Sequence, residues 1–453
     1  MSDDGASTTI ANSRSPRPHS SDEVTPTSTI MERKEDPPKE IASEENGKRE
    51  ATHEDPDFPD GGWRAWLVVF GAMCNTFSTF GFVNSWGTFQ AYYQQNTLRD
   101  SPPSNIAWIG SIQYSLIFLP AVFVGRLFDL GHFRSIFLTS SAVLIASTFL
   151  IAQCTEYWQF LLCQGFAAGL ACGGIFGPTT AVISHWFRRR RGLAMGIVAV
   201  GSSIGGTIIP ITAHKLIPLV GFQWAIRTVG FILLLVLGMA NLTLRRRLPP
   251  INSPGGLLNL KAFKSAPFTF YCLSAFVIFL GLYTVLTYVG ISALVLGIPP
   301  DLSFYLIAIA NASSLFGRYT SGAISDRVGP MNVMIPFTAA AGILTYAWPF
   351  ARSQGSLIAV VVLYGFSSGS YVSLLSNPMM ALGETDDVGR RLGMFMSIFS
   401  LGALAGPPIS GAINKASGGF EVVGYYAGSM VMVGVALMCI TRHLVLRRII
   451  GKF

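Results

Sequence analysis

From residue 64 onward the chain is dominated by apolar stretches of about 20 residues or more, joined by short polar connections. A helix rises about 1.5 Å per residue, so about 20 residues are needed to cross the hydrocarbon core of a bilayer. Half of the 453 residues are hydrophobic and 12% are charged, a charged share roughly half that of a soluble domain. The chain is therefore predicted to be an α-helical membrane protein with many spans.

Twelve such stretches are predicted to be membrane spans, and they form two groups of six. The longest connection, residues 245–267, separates the groups. The predicted fold is therefore all-α and transmembrane, with one six-helix half at 61–244 and another at 268–446. The predicted spans are 64–92, 106–127, 133–153, 157–186, 191–213, 222–244, 268–296, 302–324, 331–351, 356–382, 391–413 and 422–443.

The two ends of the chain contrast with the spans. Residues 1–60 hold 15 acidic and 7 basic residues and almost no aromatic residues, so this segment has too little apolar surface to fold. We expect a disordered tail there and a second, short tail at 447–453. The first 30 residues lack the apolar core of a cleavable signal peptide, so the first span is expected to direct insertion.

The distribution of basic residues predicts the orientation of the bundle. The connections after even-numbered spans and the C-terminal tail hold 18 Lys and Arg residues, and the connections after odd-numbered spans hold four. Those four are Arg99, Lys215, Arg352 and Lys415. Because basic loops stay on the cytoplasmic side, both tails and the connection 245–267 are predicted to be cytoplasmic. We expect the protein in the plasma membrane, with the vacuolar membrane as the alternative.

Several classes of function are not indicated by the sequence. The basic residues lie in short loops beside apolar spans, which suits anionic membrane lipid rather than nucleic acid. The six cysteines lie in apolar stretches without a CxxC pair, which argues against a disulfide framework or a metal site. The sequence contains no nucleotide-binding or metalloprotease motif, so we expect no enzyme, no cofactor and no ATP-driven transport. No oligomeric state is predicted.

A short motif occurs twice, in the loop after the second span of each half. The first copy contains Gly125 and Asp129, and the second contains Gly322 and Asp326. Each glycine is expected to allow close approach of two helices. Each aspartate is expected to cap the next helix at the positive end of its dipole. These four residues are predicted to have a gating role.

A basic residue accompanies each copy of the motif. Arg134 and Arg327 are expected to bridge to the opposite half and to hold one conformation. The matched pair of loops resembles the signature loop of the major facilitator superfamily, and the resemblance extends over residues 60–450. It implies two halves related by pseudo-twofold symmetry, which rock about a substrate site near the bilayer midplane.

Two further motifs narrow the resemblance. Residues 60–66 read DGGWRAW at the first span, and residues 186–196 read WFRRRRGLAMG at the fifth. Together they resemble the hallmark motifs of the monocarboxylate-transporter family, and the whole chain is similar to its fungal members. The resemblance implies secondary transport of a small organic anion or a related metabolite by alternating access. Two alternatives stay open: export of a fungal secondary metabolite, and a receptor with a transporter fold that senses a nutrient.

Arg318 is the charged residue predicted to lie deepest in a span. It precedes Asp326 by eight residues, so it lies about 12 Å in from the cytoplasmic end. Charges in a bilayer core are costly and usually functional, and a guanidinium can hold a carboxylate through two parallel hydrogen bonds. The position also resembles that of the substrate-binding arginine of the monocarboxylate-transporter family. Pairing with a carbonyl or a loop carboxylate is the alternative role.

Polar residues of other spans are predicted to surround the Arg318 side chain. Asn311 lies seven residues before Arg318 on the same helix face. The other candidates are Asn84, Gln113 and Tyr114, with Tyr364, Tyr371 and Asn377 on the tenth span. Taken singly, each of them also suits a hydrogen bond between helices.

Two positions depart from the proton-linked lactate carriers of the monocarboxylate-transporter family. Asn84 stands where those carriers have a lysine, and Ser314 stands where they have an aspartate. No Asp or Glu lies deep in any predicted span. Because a buried carboxylate is the usual proton switch, the sequence predicts weaker proton coupling than in those carriers.

Overall fold

The computed structural model describes residues 59–249, 256–383, 387–448 and 451–452, and the regular secondary structure in these ranges is helical. The predicted tail 1–60 lies outside the described residues except for its last two. Parts of the predicted connection 245–267 and of the tail 447–453 lie outside them as well. The expectations for these segments stay predictions.

Twelve long helices follow one another within the described ranges, if the helix that contains Gly221 is divided there. Gly221 has φ 80° and ψ 163°, which are not helical angles, so the continuous segment Arg191–Thr243 consists of two rods. The helices are α1 (Trp63–Thr97), α2 (Asn105–Asp129), α3 (Phe133–Ile151), α4 (Tyr157–Ser184), α5 (191–220), α6 (222–243), α7 (Ala266–Val295), α8 (Pro300–Val328), α9 (Pro330–Phe350), α10 (Gln354–Ala381), α11 (Val388–Ser417) and α12 (Glu421–Leu446).

The length and composition of the helices agree with a membrane bundle. Ten segments of the described chain are long and apolar enough to cross a membrane, and the segment that holds α5 and α6 is one of them. The segment missing from that set is α8, whose 29 residues are sufficient in length but include Asp301, Arg318, Asp326 and Arg327. The predicted all-α transmembrane fold is confirmed. Most boundaries of the predicted spans lie within a few residues of a helix boundary.

The two halves meet through helices that hold equivalent places in each half. α2 packs against α11, and α8 packs against α5, so that each contact joins the second helix of one half to the fifth of the other. Within the halves, α1 packs along α5 and α7 packs along α11. This pattern of contacts agrees with the predicted pseudo-twofold relationship.

Glycines bring some of these helices into backbone contact. A Cβ atom on Gly81 of α1 would lie 2.7 Å from the Cα atom of Gly205 on α5. A Cβ atom on Gly369 of α10 would lie 2.7 Å from the Cβ atom of Ser314 on α8. Because Cβ atoms do not approach other atoms so closely, the pairs α1–α5 and α8–α10 can only pack in this way with glycine at these positions.

Candidate functional site

A cavity of about 790 Å³, a volume that includes its open side, lies between the two halves. Residues of α1, α2, α4 and α5 line it on one side, and residues of α7, α8, α10 and α11 line it on the other. Its lining is mainly apolar and rich in aromatic rings. The aromatic lining residues are Phe80, Phe118, Phe176, Phe279, Tyr283 and Phe399.

No pattern in the sequence selects these aromatic residues for the cavity. An apolar side chain on a membrane helix can face lipid, a neighbouring helix or a cavity, and periodicity alone does not distinguish the three. In the structure Phe118 of α2 lies 4.8 Å from Phe399 of α11, measured between ring centroids. The aromatic lining therefore depends on how the halves come together.

Among the described residues, Arg318 is the one cation in the lining of the cavity. Its Nη1 atom donates a hydrogen bond to the carbonyl oxygen of Ala199 on α5 at 3.3 Å. Its Nε atom is buried and has no hydrogen-bond partner among the described residues. No carboxylate forms an ion pair with it within the described ranges. The guanidinium thus has donor capacity that the described residues leave unused.

Asn311 and Asn84, two of the candidate residues, line the cavity. The amide nitrogen of Asn311 donates to the carbonyl oxygen of Gly206 on α5 at 3.2 Å. A Cβ atom on Gly206 would lie 2.9 Å from the amide nitrogen of Asn84 and 3.2 Å from that of Asn311. The backbone of α5 therefore brings together one polar residue from α1 and one from α8.

Ser314, at the position where the lactate carriers have an aspartate, connects the two halves through a hydrogen bond. Its hydroxyl lies 2.7 Å from the hydroxyl of Ser203 on α5 and donates to the carbonyl oxygen of Asn311. It also lines a smaller space of about 340 Å³, which adjoins the cavity and shares Arg318 with it. The arginine thus lies where the large cavity meets the smaller space.

Gln113 and Tyr114 were predicted to contact substrate, but neither belongs to the lining of the cavity. Gln113 is fully buried, and its Cα atom would lie 3.0 Å from a Cβ atom on Gly169, so this part of α2 faces α4. The ring of Tyr114 packs edge-on against Tyr283 at 5.1 Å. Gln113 therefore faces α4, whereas Tyr114 lies directly behind Tyr283, which lines the cavity.

The three candidates on α10 are also outside the lining. The hydroxyl of Tyr364 donates to the carbonyl oxygen of Leu282 on α7, which is a contact between helices. Tyr371 packs near Phe279, with 6.3 Å between ring centroids, and Asn377 is buried. Of the three, Tyr364 forms a hydrogen bond between helices, which is the alternative role considered for it above.

The two motif aspartates bind helix ends, but the helices are not the ones that the sequence predicted. The carboxylate of Asp326 accepts hydrogen bonds from the backbone N–H groups of Gly192 at 2.6 Å and Leu193 at 2.9 Å. Asp326 therefore caps α5 in the opposite half, and not α9, the next helix. The first N–H groups of a helix have no partner within it, so a carboxylate is a favourable acceptor there.

Asp129 does the same at the equivalent place. Its carboxylate accepts from the N–H groups of Gly389 at 3.1 Å and Arg390 at 3.0 Å, at the start of α11. It therefore caps α11 rather than α3. We call the contacts of Asp326 with α5 and of Asp129 with α11 the clasps. We call the end of the bundle where the clasps lie the motif end.

The motif glycines lie inside the clasps. A Cβ atom on Gly322 would lie 2.6 Å from the carbonyl oxygen of Gly192. A Cβ atom on Gly125 would meet the carbonyl oxygen of Gly389. The expectation that both glycines allow close approach of helices agrees with this geometry. On α2, α5, α8 and α11 the residues that line the cavity are farther from the motif end than the clasps.

Arg134 and Arg327 are both exposed, and within the described ranges no hydrogen bond or ion pair joins either of them to the opposite half. The predicted bridges are therefore not present in this conformation, because both side chains extend from the motif end into the surroundings. Other cations contact the clasps instead. Arg246 donates to the carbonyl oxygens of Phe128 and Asp129, and Lys452 donates to that of Asp326.

Comparison with known proteins decides the family. The sequence pattern described as the Major Facilitator Superfamily matches residues 66–384, which is more than half of the chain. The chain belongs to this superfamily. It is an integral membrane protein with many spans and a secondary transporter, as predicted. The proteins to which it is similar are transporters and not enzymes.

Fungal relatives match most of the chain. MFS-type transporter 1 of Ophiocordyceps sp. is 38% identical over 388 residues, which are 85% of this chain and 86% of that protein. The aspyridones efflux protein apdF of Emericella nidulans is 37% identical over 85% of this chain and 79% of its own. The fujikurins efflux protein of Gibberella fujikuroi is 35% identical over 91% of this chain and 90% of its own.

Solved structures agree on the fold. The fucose:proton symporter FucP of E. coli superposes with a TM-score of 0.67 at 15% identity, over 83% of this chain and 99% of its own. The human organic anion transporter MFSD10 superposes with a TM-score of 0.66 at 16% identity, over 83% of this chain and 98% of its own. At this level of identity the likeness extends to the fold alone.

Proposed function

We propose that this transporter exports a secondary metabolite that carries an acidic group, and that Arg318 binds that group in the cavity between the halves. The observation that carries the proposal is the guanidinium of Arg318, which lines the cavity, has a buried Nε atom without a hydrogen-bond partner, and has no ion-pair partner among the described residues. We further propose that the transporter is of the monocarboxylate-transporter-like type, as its motifs at 60–66 and 186–196 indicate.

An unpaired charge within the membrane is costly. A cation at the centre of a bilayer costs at least about 2.5–3.5 kcal/mol unless water, protein or ligand solvates it. The carbonyl of Ala199 accepts one hydrogen bond of the guanidinium, and the described residues provide no anion. An acidic cargo would supply the missing charge and two oxygen acceptors in the geometry that a guanidinium favours.

The cavity also supports a bulky cargo with an apolar body. Its lining is mainly apolar and includes six aromatic rings, and apolar walls with a few polar groups are typical of small-molecule sites. The names of several relatives describe efflux of metabolites such as aspyridones and fujikurins. Export from the cell requires the plasma membrane, and we place both termini on its cytoplasmic side because the basic residues lie at the motif end.

Transport assays on Arg318 variants test the proposal. The purified protein would be reconstituted in liposomes and screened with lipophilic carboxylic acids and their methyl esters as matched pairs. Arg318→Lys keeps the charge but loses the planar fork, so binding of the acid should weaken about tenfold, which corresponds to about 1.4 kcal/mol. Arg318→Ala should nearly abolish transport of the acid, and the ester should not be a substrate of the wild type.

A second arginine provides the matched control. Arg227 of α6 lies 4.7 Å above the exposed ring of Trp224, away from the cavity lining. Arg227→Lys should therefore transport the acid as the wild type does. If Arg318→Ala binds and transports the acid like the wild type at equal amounts of inserted protein, then the arginine is structural and the anion proposal is wrong.

A further inference from the structure

Asp60 binds the segment that leads into α5. Its Oδ1 atom accepts hydrogen bonds from the backbone N–H groups of Arg188 at 2.7 Å, Arg189 at 2.7 Å and Arg190 at 3.2 Å. Its own backbone N–H donates to the carbonyl oxygen of Trp186 at 3.2 Å. The two hallmark motifs are thus joined directly, because the first residue of one binds the backbone of the other.

The backbone at Asp60 is adapted to this contact. Asp60 has φ 44°, a left-handed conformation that non-glycine residues adopt at a cost of order 1 kcal/mol. Gly62, two residues later, has φ 82°, and a Cβ atom there would meet no other atom within 4 Å. Glycine is therefore favoured at this position by the backbone conformation rather than by lack of space. The chain is bent so that the carboxylate reaches the loop before α5.

The other half has an equivalent contact. Asn259 lies shortly before α7, as Asp60 lies shortly before α1, and its amide nitrogen donates to the carboxylate of Asp387 at 2.6 Å. Asp387 directly precedes α11 and also forms an ion pair with Arg391 at 2.5 Å. In each half, a polar residue before the first helix therefore binds the segment that leads into the fifth.

We propose that Asp60 and Asn259 are positioning residues for the transport cycle, one in each half, which hold the N-terminal ends of α5 and α11 in place for the clasps. They touch no part of the cavity, so the proposal concerns the conformational change and does not depend on which cargo is carried. The contacts lie within one half, whereas the clasps join the two halves.

The physical reason lies in the order of the acceptors along one stretch of backbone. Asp60 accepts from residues 188–190, and Asp326 of the opposite half accepts from Gly192 and Leu193 immediately afterwards. Without Asp60, three consecutive N–H groups lose their charged acceptor, and the end of α5 can fray. A frayed end presents its N–H groups to Asp326 in many orientations, so closing the clasp requires additional ordering entropy.

Distance measurements between the halves test the proposal in the full-length protein without a cargo. Spin labels would be placed at Ser135→Cys, at the motif end of α3, and Val328→Cys, at the motif end of α8, in a variant without the native cysteines and reconstituted in lipid nanodiscs. Both positions are exposed. Double electron–electron resonance then reports the populations with the motif end closed and open.

Asp60→Ala should raise the ratio of open to closed molecules about tenfold, and Asp60→Glu, which keeps a carboxylate, should restore part of the closed population. Asn259→Ala should shift the same ratio in the same direction by a smaller factor, because one hydrogen bond is lost instead of three. Asp100→Ala removes an exposed acid at the opposite end of α1 and should leave the distances unchanged.

The outcomes separate positioning from a general effect on stability. If Asp60→Ala lowers the melting temperature but leaves the distance distribution of the wild type, the residue is only structural and the proposal is wrong. Where Asp60→Ala does not yield folded protein, Asp60→Asn decides in the same assay: its amide oxygen is a weaker acceptor than the carboxylate, so the ratio of open to closed molecules should still rise, by a smaller factor. A wild-type distribution in that variant would also overturn the proposal.

Discussion

Replacing Gly322 with alanine tests the clasp between α5 and α8 at its closest point. The new Cβ atom would lie 2.6 Å from the carbonyl oxygen of Gly192, whereas ordinary contact begins at 3.4 Å. The two helices must therefore separate locally by about 0.8 Å to avoid the clash. Asp326 lies one turn further along the same face of α8, so its two hydrogen bonds to α5 lengthen with the separation.

The expected size of the effect follows from these distances. The bond from Leu193 to Asp326 is 2.9 Å long, and a further 0.8 Å, approximately, carries it beyond the range of a hydrogen bond. Hydrogen bonds to charged groups contribute about 1.5–3 kcal/mol each. Loss of one bond should thus raise the ratio of molecules with an open motif end to molecules with a closed one at least about tenfold.

Hydrogen exchange measured by mass spectrometry reads this clasp directly. The N–H groups of Gly192 and Leu193 lie in the first turn of α5, where a helix offers them no acceptor, so their protection depends on Asp326. In Gly322→Ala, exchange at these two amides should accelerate about tenfold. The amides of Gly389 and Arg390 report whether the second clasp opens with the first.

Gly238→Ala is the matched control, because a Cβ atom on this glycine of α6 would meet no atom within 4 Å. It introduces the same helix-stabilising substitution, worth up to about 1 kcal/mol, without a clash. Exchange at the start of α5 should be that of the wild type. If Gly322→Ala also exchanges at the wild-type rate there, the close approach of Gly322 to Gly192 does not control the clasp and the reasoning is refuted.

Three further predictions concern the transport cycle and the orientation. Asp129→Asn and Asp326→Asn should each slow turnover several-fold at unchanged membrane insertion, because an amide is a weaker acceptor than a carboxylate. Wild-type turnover in both variants would contradict a gating role. A pH gradient alone should drive little uphill uptake into proteoliposomes at clamped voltage, since no span contains a deep carboxylate; strong uptake would contradict this. Tags at both termini should resist protease added to intact cells, and cleavage of either tag would reverse the predicted orientation.

The positions of the spans could be predicted because a bilayer requires about 20 apolar residues for each helix. The prediction 302–324 even identified α8, which is too polar to be recognised by hydropathy alone. The break between α5 and α6 was placed between 213 and 222, where Gly221 interrupts the helix. Local composition decides such features, so one sequence is sufficient to find them.

The site could be predicted only in part, because its residues come together through tertiary contacts. Arg318 and Asn311 were found because they share a face of one helix and are polar within a span. Gln113 was equally polar, yet α2 is rotated so that this residue faces Gly169 of α4. Helix rotation depends on packing against neighbours, and no pattern within α2 reports it.

The clasps illustrate the same limit. That Asp129 and Asp326 would cap helix ends followed from chemistry alone. The choice of helix did not, because α11 and α5 are distant in sequence and reach the aspartates only when the halves assemble. The sequence favoured the adjacent helix as the nearest partner, and assembly placed a helix of the opposite half closer.

The glycine contacts of α1 with α5 and of α8 with α10 have a consequence for how such a transporter can change its cargo during evolution. Positions such as Gly81 and Gly369 leave no room for even one additional methyl group, so they tolerate almost no substitution. The aromatic lining of the cavity has no such restriction, because one apolar ring can be exchanged for another at similar volume. New specificities should therefore arise by substitutions at Phe80, Phe279 and Phe399, while the rods that carry them keep their spacing.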